Sequence, residues 1–248
     1  RARMNKTAVM MVVLAAAGLS AARAQGTLNV EAGYVVPGSI DVAVPGDTGT
    51  RFSMTDDLDA DPAAAFRVRY GHTLAGKHWI GLLAAPLTVD AQGVFAAPVD
   101  FNGTTFPAGV PVEASYRFDS YRLIYRYLFH SSARWEFSFG GALKVRDAAI
   151  ELEGGGLESE KTNLGVVPLL SFKLAWMPAG KWRLLVDGEA LAAPQGRAED
   201  VLLAVQYDAN RRLALQAGYR ILEGGADNDE VYTFALFHSA VVGASWSF

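Results

Sequence analysis

The chain has 248 residues, 51% of them hydrophobic, a formal charge of −4 and no cysteine. That charge excludes the basic face a nucleic-acid partner needs. The lack of thiols excludes a disulfide framework and leaves few ligands for a zinc or iron centre. Beyond residue 24 no apolar run is long enough to form a membrane helix, so the apolar content needs another destination. Alternating strands with one face in lipid supply it.

In chain order, Met4, Asn5 and Lys6 make a short basic start, and Ala8 to Leu19 carries no charged or polar side chain. Ser20-Ala21-Ala22-Arg23-Ala24 then closes the segment with an A-x-A site. The pattern predicts a secretory signal peptide over residues 1–24, cleaved after Ala24; the apolar run is too short to span a bilayer. Four basic and no acidic residues leave with it, so residues 25–248, read as a single domain, carry −8.

Period-two alternation dominates that domain. In Tyr121 to Phe129 every odd position is large and apolar or aromatic, while Arg122 and Arg126 occupy even ones. From Trp135 to Arg146, Trp135, Phe137, Phe139, Leu143 and Val145 share one face, and Glu136, Lys144 and Arg146 share the other. Ten strands are predicted, at about 27–36, 63–72, 79–89, 112–129, 135–152, 163–176, 182–191, 200–207, 212–222 and 231–248. The connections at 73–78, 130–134, 177–181 and 208–211 are short. Those at 37–62, 90–111, 153–162, 192–199 and 223–230 are mostly longer and rich in Gly, Asp and Pro. This predicts an all-β fold: a closed, antiparallel, up-and-down transmembrane β-barrel of about ten strands, with eight as the alternative, and with short turns in the periplasm and longer loops outside.

Trp79, Trp135, Trp176, Trp182 and Trp246 all fall beside the short turns or the C-terminus, where a periplasmic aromatic girdle is expected. Tyr116, Phe118, Tyr232 and Phe234 are candidates for the outer girdle. At the end of the chain, Ala240, Val242, Ala244, Trp246 and Phe248 alternate with Val241, Gly243, Ser245 and Ser247. This segment resembles the final strand of Gram-negative outer-membrane barrel proteins. The resemblance implies an outer-membrane location, with outer-membrane lipid and lipopolysaccharide as surroundings. It also implies that Phe248 belongs to the signal read by the barrel-assembly machinery. It identifies no subfamily and brings no catalytic residue.

With the aromatic faces in lipid, the lumen receives Arg67, Arg69, Arg122, Arg126, Glu136, Lys144, Arg146, Lys173, Arg183, Asp187, Glu189 and Arg220. Hairpin geometry puts Arg126 within diagonal reach of Glu136, and Lys173 within reach of Asp187. Two readings compete: a salt-bridged interior filling a narrow barrel, and a narrow polar channel. Ten strands lie near the size that side chains can fill, which favours the first.

Candidate chemistry is sparse. His72, His78 and His130 lie at short turns and read as solvated. His238 shares parity with Trp246 and Phe248 and so faces lipid, where it is the weak candidate for a base; Ser239 points the opposite way. No G-x-S-x-G, H-E-x-x-H or P-loop pattern stands beyond residue 24, and nothing calls for a cofactor. Asp56, Asp57, Asp59 and Asp61 in the first long loop, and Asp227, Asp229 and Glu230 in the last, are acidic clusters that barrel closure makes neighbours. Asp57, Asp59 and Asp61 are the weak candidates for a divalent cation, against a solvated acidic loop. Three function classes remain: a structural or surface-interaction barrel presenting acidic loops, a narrow channel for small solutes, and an outer-membrane enzyme acting on peptides or lipid.

Overall fold

The computed structural model describes residues 25–193 and 196–248; the expected signal peptide lies outside them. The described residues form fifteen strands. They are β1 (Gln25–Ala43), β2 (Phe52–Ser53), β3 (Leu58–Ala60), β4 (Ala63–Leu74), β5 (His78–Ala85), β6 (Thr88–Val94), β7 (Val99–Phe101) and β8 (Thr104–Phe106), then β9 (Pro111–Ser131), β10 (Trp135–Gly154), β11 (Leu157–Trp176), β12 (Trp182–Ala193), β13 (Gly196–Asp208), β14 (Leu213–Asn228) and β15 (Val231–Ser247).

Every barrel pairing is antiparallel. β15 returns to β1, with Leu28 opposite Trp246 and Tyr34 opposite Ala240, and this closes the wall. β5 and β6 both pair with β9 and act as one interrupted strand, giving a ten-stranded barrel. The interruption falls at Pro86, which has no N–H to donate. Asp119 holds the ends together: its carboxylate accepts the Leu87 N–H at 3.1 Å, while the Leu87 carbonyl accepts from Phe118 N at 2.8 Å. Closure satisfies the backbone that faces lipid, which an open sheet cannot do.

The strands run further than their alternation suggests, always at the end away from the short turns. β1 continues to Ala43, β11 starts at Leu157, β13 starts at Gly196 and β14 reaches Asn228. The expected loop at 153–162 is mostly ladder, turning at Gly155 and Gly156, whose φ values are +62° and +76°. Two such residues form the tight hairpin turn that matches strand twist. Above the apolar band the outer face is polar, so Gly- and Glu-rich sequence reads as loop although its backbone stays paired.

The interior is layered. Nearest the short turns is a small apolar cluster of Ala175, Leu185, Leu202, Ala204 and Val241. Above it lies a zone of buried charge, flanked by Leu83, Ile124 and Leu169. The far end holds a large apolar core built on Ile40, Phe52, Met54, Val89, Phe101, Phe106, Tyr116, Phe118, Leu152 and Phe237. β2 pairs with β1 and β3 with β6, extending the wall above the shorter β4. The β7–β8 hairpin crosses the mouth. Asn102 N donates to the Val44 carbonyl at 2.7 Å, and Asn102 Nδ2 donates to the Glu160 carbonyl at 2.9 Å. Tyr116 and Phe118 therefore belong to this core and not to an outer girdle. On β9 they share the inward parity of Arg122 and Arg126.

Candidate functional site

The charged zone contains five guanidiniums, Arg67, Arg69, Arg122, Arg126 and Arg220, set against four carboxylates, Glu31, Asp187, Glu189 and Asp200. Asp200 is the hub, 2.8 Å from Arg67, 2.6 Å from Arg122 and 2.5 Å from Arg220. Glu189 binds Arg122 and Arg126, each at 2.6 Å, and accepts from Ser171 Oγ at 3.0 Å. Asp187 lies 2.8 Å from Arg126 and 3.0 Å from Arg69. Glu31 takes two hydrogen bonds from Arg220, both at 2.9 Å, and one from Gln216 Nε2 at 3.2 Å. The Arg122 Nη2 contact to Asp200 is close but off the N–H direction, so it is an ion pair without a hydrogen bond. This paired arrangement is what buried charge requires.

The expected partners differ in detail. Arg126 does not pair with Glu136. A register irregularity between Phe137 and Ser138 places Glu136 opposite Ser131, at the short-turn mouth, where its neighbour is Arg183 at 3.8 Å. Arg183 also holds Asp208 at 2.9 Å. Lys173 is directly opposite Asp187 in the ladder, while the ion pairs of Asp187 go to arginines. Lys144 is fully buried, with its ammonium 4.4 Å from the centre of the Phe118 ring. Arg146 donates to Asn163 Oδ1 at 2.7 Å, and its Nε finds no partner. Sequence reasoning missed Glu31 and Asp200. Alternation alone reaches both: Val30 and Tyr34 face out around Glu31, and Leu203 and Val205 face out beyond Asp200.

Four tryptophans are exposed beside the short turns. Trp135 and Trp176 stack at 5.9 Å, Trp182 lies 4.9 Å from Tyr207, and Trp246 is opposite Leu28 on β1. Trp79 is not among them. It turns inward, 5.4 Å from the Arg126 guanidinium, against Gly71 and Gly81, where an added Cβ would fall 2.4 and 2.2 Å from its ring. Those two glycines make the room that lets the indole close the lumen from below. Tyr232 and Phe234 stand high on β15, Tyr232 under Arg51 at 3.5 Å and Phe234 near Arg197 at 5.5 Å. Phe248 exchanges backbone hydrogen bonds with Gly26 at 2.9 and 3.0 Å and leans toward Tyr70.

Above the apolar band, the outer faces of β3, β6, β9, β10 and β11 carry carboxylates in register. One cross-strand row reads Asp59, Gln92, Glu113, Glu153, Glu158, and the next includes Asp90, Ser115, Glu151 and Glu160. Glu113, Asp61, Asp90, Gln92, Glu151 and Glu153 line a cleft of about 400 Å³ on this face. This acidic surface is carried by paired strands, and of the acidic segments that composition singled out it includes Asp59 and Asp61.

No family model matches the chain, and no curated protein is matched. Solved structures are. The outer membrane protease OmpT from Escherichia coli aligns over 90% of this chain and 97% of its own, at 7% identity and a TM-score of 0.58. The fold is that of an outer-membrane β-barrel. The translocator domain of the autotransporter NalP from Neisseria meningitidis aligns at 12% identity and a TM-score of 0.45, covering 98% and 95% of the two chains. Ail of Yersinia pestis aligns at 10% identity and 0.39, covering 90% and 99%. At these identities the likeness is one of fold, and no residue role passes with it.

On this outer-membrane barrel His238 faces outward, as its parity requires. Its Nδ1 is 2.6 Å from the Tyr219 hydroxyl, and the two rings stack at 6.0 Å. The pair satisfies two polar groups on a lipid-facing wall, and Ser239 is buried on the other side. Asp57 accepts the Ser53 N–H at 2.8 Å in a local turn, while Asp59 and Asp61 lie in and beside β3. The first and last long segments do touch, through Gly46 N to the Asp229 carbonyl at 2.9 Å, a contact that does not involve Asp56 to Asp61. Among the described residues no three carboxylate or histidine groups converge on a cation position.

Proposed function

We propose that this protein is a closed surface barrel that works by presenting its acidic sheet to cationic partners outside the cell, and that it does not conduct solutes. The observation that carries the reading is the carboxylate face itself. Glu113 is opposite Glu153, Glu153 opposite Glu158, and Glu151 opposite Glu160. Directly opposed like charges on a sheet destabilise it, and nothing in the folding of these strands requires them. A concentrated negative field on a rigid platform accelerates encounters with basic segments and makes their binding salt-sensitive. The filled lumen supports the second half of the reading: the ion-pair zone and the apolar core above it occupy the space a channel would need.

The test is a titration of the detergent-solubilised full chain with fluorescent oligo-lysine at low and high salt. Binding is expected at low salt, weakened at least tenfold by Glu151→Gln, Glu153→Gln and Glu158→Gln combined. Equal binding by the triple variant sinks the surface reading. Unitary conductance steps in planar bilayers overturn the closed-barrel reading.

A further inference from the structure

The short-turn end of the barrel carries a ring of cations. Its connections at residues 75–77, 132–134, 177–181 and 209–212 contain Lys77, Arg134, Lys181, Arg211 and Arg212 and no acidic residue. All five cations are exposed. At this end Glu136 and Asp208 are both held by Arg183, at 3.8 and 2.9 Å, and among the described residues no carboxylate lies within 4 Å of the five.

The turns are built without these side chains. Ala75 and Gly76 take φ values of +50° and +69°, and Gly180 takes +61°. Ser132 Oγ accepts from Trp135 N at 3.1 Å, and Asn210 Oδ1 accepts from Arg212 N and Leu213 N at 2.9 and 3.0 Å. The cations nevertheless recur at one place. Lys77, Arg134, Lys181 and Arg212 stand directly before β5, β10, β12 and β14, every second strand of the wall. Each is pinned there by its own carbonyl, which accepts from Leu128, Met177, Asp208 and Ser247 N respectively, at 2.7–2.8 Å. Across the strands, successive cations are thus about 10 Å apart around the rim.

These cations sit beside aromatic rings that face outward. Arg134 and Lys181 directly precede Trp135 and Trp182, which are 43% and 52% exposed. Lys77 Nζ is 5.9 Å from the centre of the Tyr127 ring, and Lys181 Nζ is 5.7 Å from that of Tyr207. Tyr127 and Tyr207 share parity with Tyr125 and Val205 on the exposed apolar wall. Both ammonium groups therefore lie over the outer surface and not under the lumen. The tryptophan level of a membrane barrel is the boundary between lipid and water, where headgroups stand.

We propose that the short-turn rim binds anionic phospholipids of the adjoining leaflet, with Lys77, Arg134, Lys181, Arg211 and Arg212 contacting their phosphates and the tryptophans holding the rim at headgroup height. An anion is called for by five exposed cations with no carboxylate among them. A lipid source follows from the outward lean of Lys77 and Lys181 and from the tryptophans beside the ring. Each juxtamembrane cation adds to the attraction toward an anionic leaflet, and the fork of a guanidinium suits a phosphate. A zwitterionic lipid brings its own ammonium and leaves the ring uncompensated. The proposal requires a membrane-spanning barrel and is independent of what the acidic sheet binds at the other end.

The experiment uses the full chain in nanodiscs of equal parts phosphatidylglycerol and phosphatidylcholine with matched acyl chains, and counts the lipids retained on release by native mass spectrometry. Retained phosphatidylglycerol is expected to exceed phosphatidylcholine by roughly fivefold or more, and to fall to parity when all five cations are replaced by Gln. The smaller change Arg134→Gln/Lys181→Gln is expected to give part of that loss. Arg51→Gln/Lys161→Gln, which removes two cations at the far end, is expected to keep the full preference. Heat-dependent gel mobility identifies folded samples. Equal retention of both lipids by the parent, a preference unchanged in folded Arg134→Gln/Lys181→Gln, or an equal loss in the far-end variant overturns the proposal. So does displacement of phosphatidylglycerol by soluble poly-glutamate, which would make the rim a docking face for a polyanion in solution.

Discussion

The lower and upper halves of the barrel are built from the same strands with opposite chemistry. On β9, the inward residues are Arg122 and Arg126 in the lower half but Tyr116, Phe118 and Val112 in the upper. The outward residues invert as well: Leu123 and Tyr125 below, Glu113 above. β10 repeats this, with Lys144 inward and Leu143 outward below, then Leu152 inward and Glu153 outward above. The parity of β9 and β10 holds from one half to the other; the medium outside them changes. Where lipid surrounds the wall, polar groups have only the interior, and must pair there. Where water surrounds it, the same wall obeys the ordinary rule of an apolar core under a charged surface. The molecule is a membrane barrel and a soluble-type β-barrel joined end to end.

The sharpest way to break this comparison is to remove the hub of the lower half. Asp200→Ala leaves Arg67, Arg122 and Arg220 without their shared carboxylate. Removing one partner from a buried pair costs about 3–5 kcal/mol, and three guanidiniums are affected here. Denaturant titration in lipid vesicles, followed by gel mobility, is expected to show at least that loss for the whole barrel. Phe237→Ala in the upper core deletes a fully buried ring, at about 3–5 kcal/mol in an ordinary core. Its loss is expected to be local, with faster proteolysis at residues 95–110 while the heat-modifiable lower barrel persists. If both variants melt as one unit with the same pattern, the two halves are a single cooperative structure and the comparison fails.

A second test exchanges the outer faces. Phe139, about 10 Å above Trp135 by the climb of a tilted strand, is exposed on the apolar band. Phe139→Arg is expected to cost about 2–4 kcal/mol in vesicles, the range for a cation near the bilayer midplane. Glu153→Arg, on the same strand and fourteen residues further, is expected to cost nothing measurable. Equal effects at the two positions would mean that the band of exposed apolar side chains does not face lipid.

Much of this was legible from alternation alone. Ten strands, closure of the last on the first, short turns at one end and a charged lumen all follow from period two and from the spacing of Gly, Pro and Trp. What alternation could not supply was the change of medium along a strand. Aromatic residues were read as lipid-facing everywhere, which misplaced Tyr116, Phe118 and Trp79, although the first two share parity with Arg122. Pairings within the lumen depend on register, and one irregularity at Phe137 moved Glu136 away from Arg126. Where the ladder between β11 and β12 ends, at Leu170 opposite Ala190, was invisible too; Pro168 was its only trace in the sequence.

The smallest expected effect bears on why the upper half carries so much negative charge. Glu153 is opposite both Glu113 and Glu158, so Glu153→Gln removes two like-charge contacts at once. Each such contact is worth roughly 0.2–1 kcal/mol, reduced here by water and salt. The variant is therefore expected to be slightly more stable than the parent at low ionic strength, by a few tenths of a kcal/mol or more, and indistinguishable from it in high salt. A surface shaped only by folding would not hold this arrangement, because a single neutral substitution improves it. The same substitution is expected to weaken oligo-lysine binding, so stability and binding move in opposite directions. If Glu153→Gln instead lowers stability at low salt, the carboxylates are making favourable contacts within the sheet, and the case for an external cationic partner loses its physical basis.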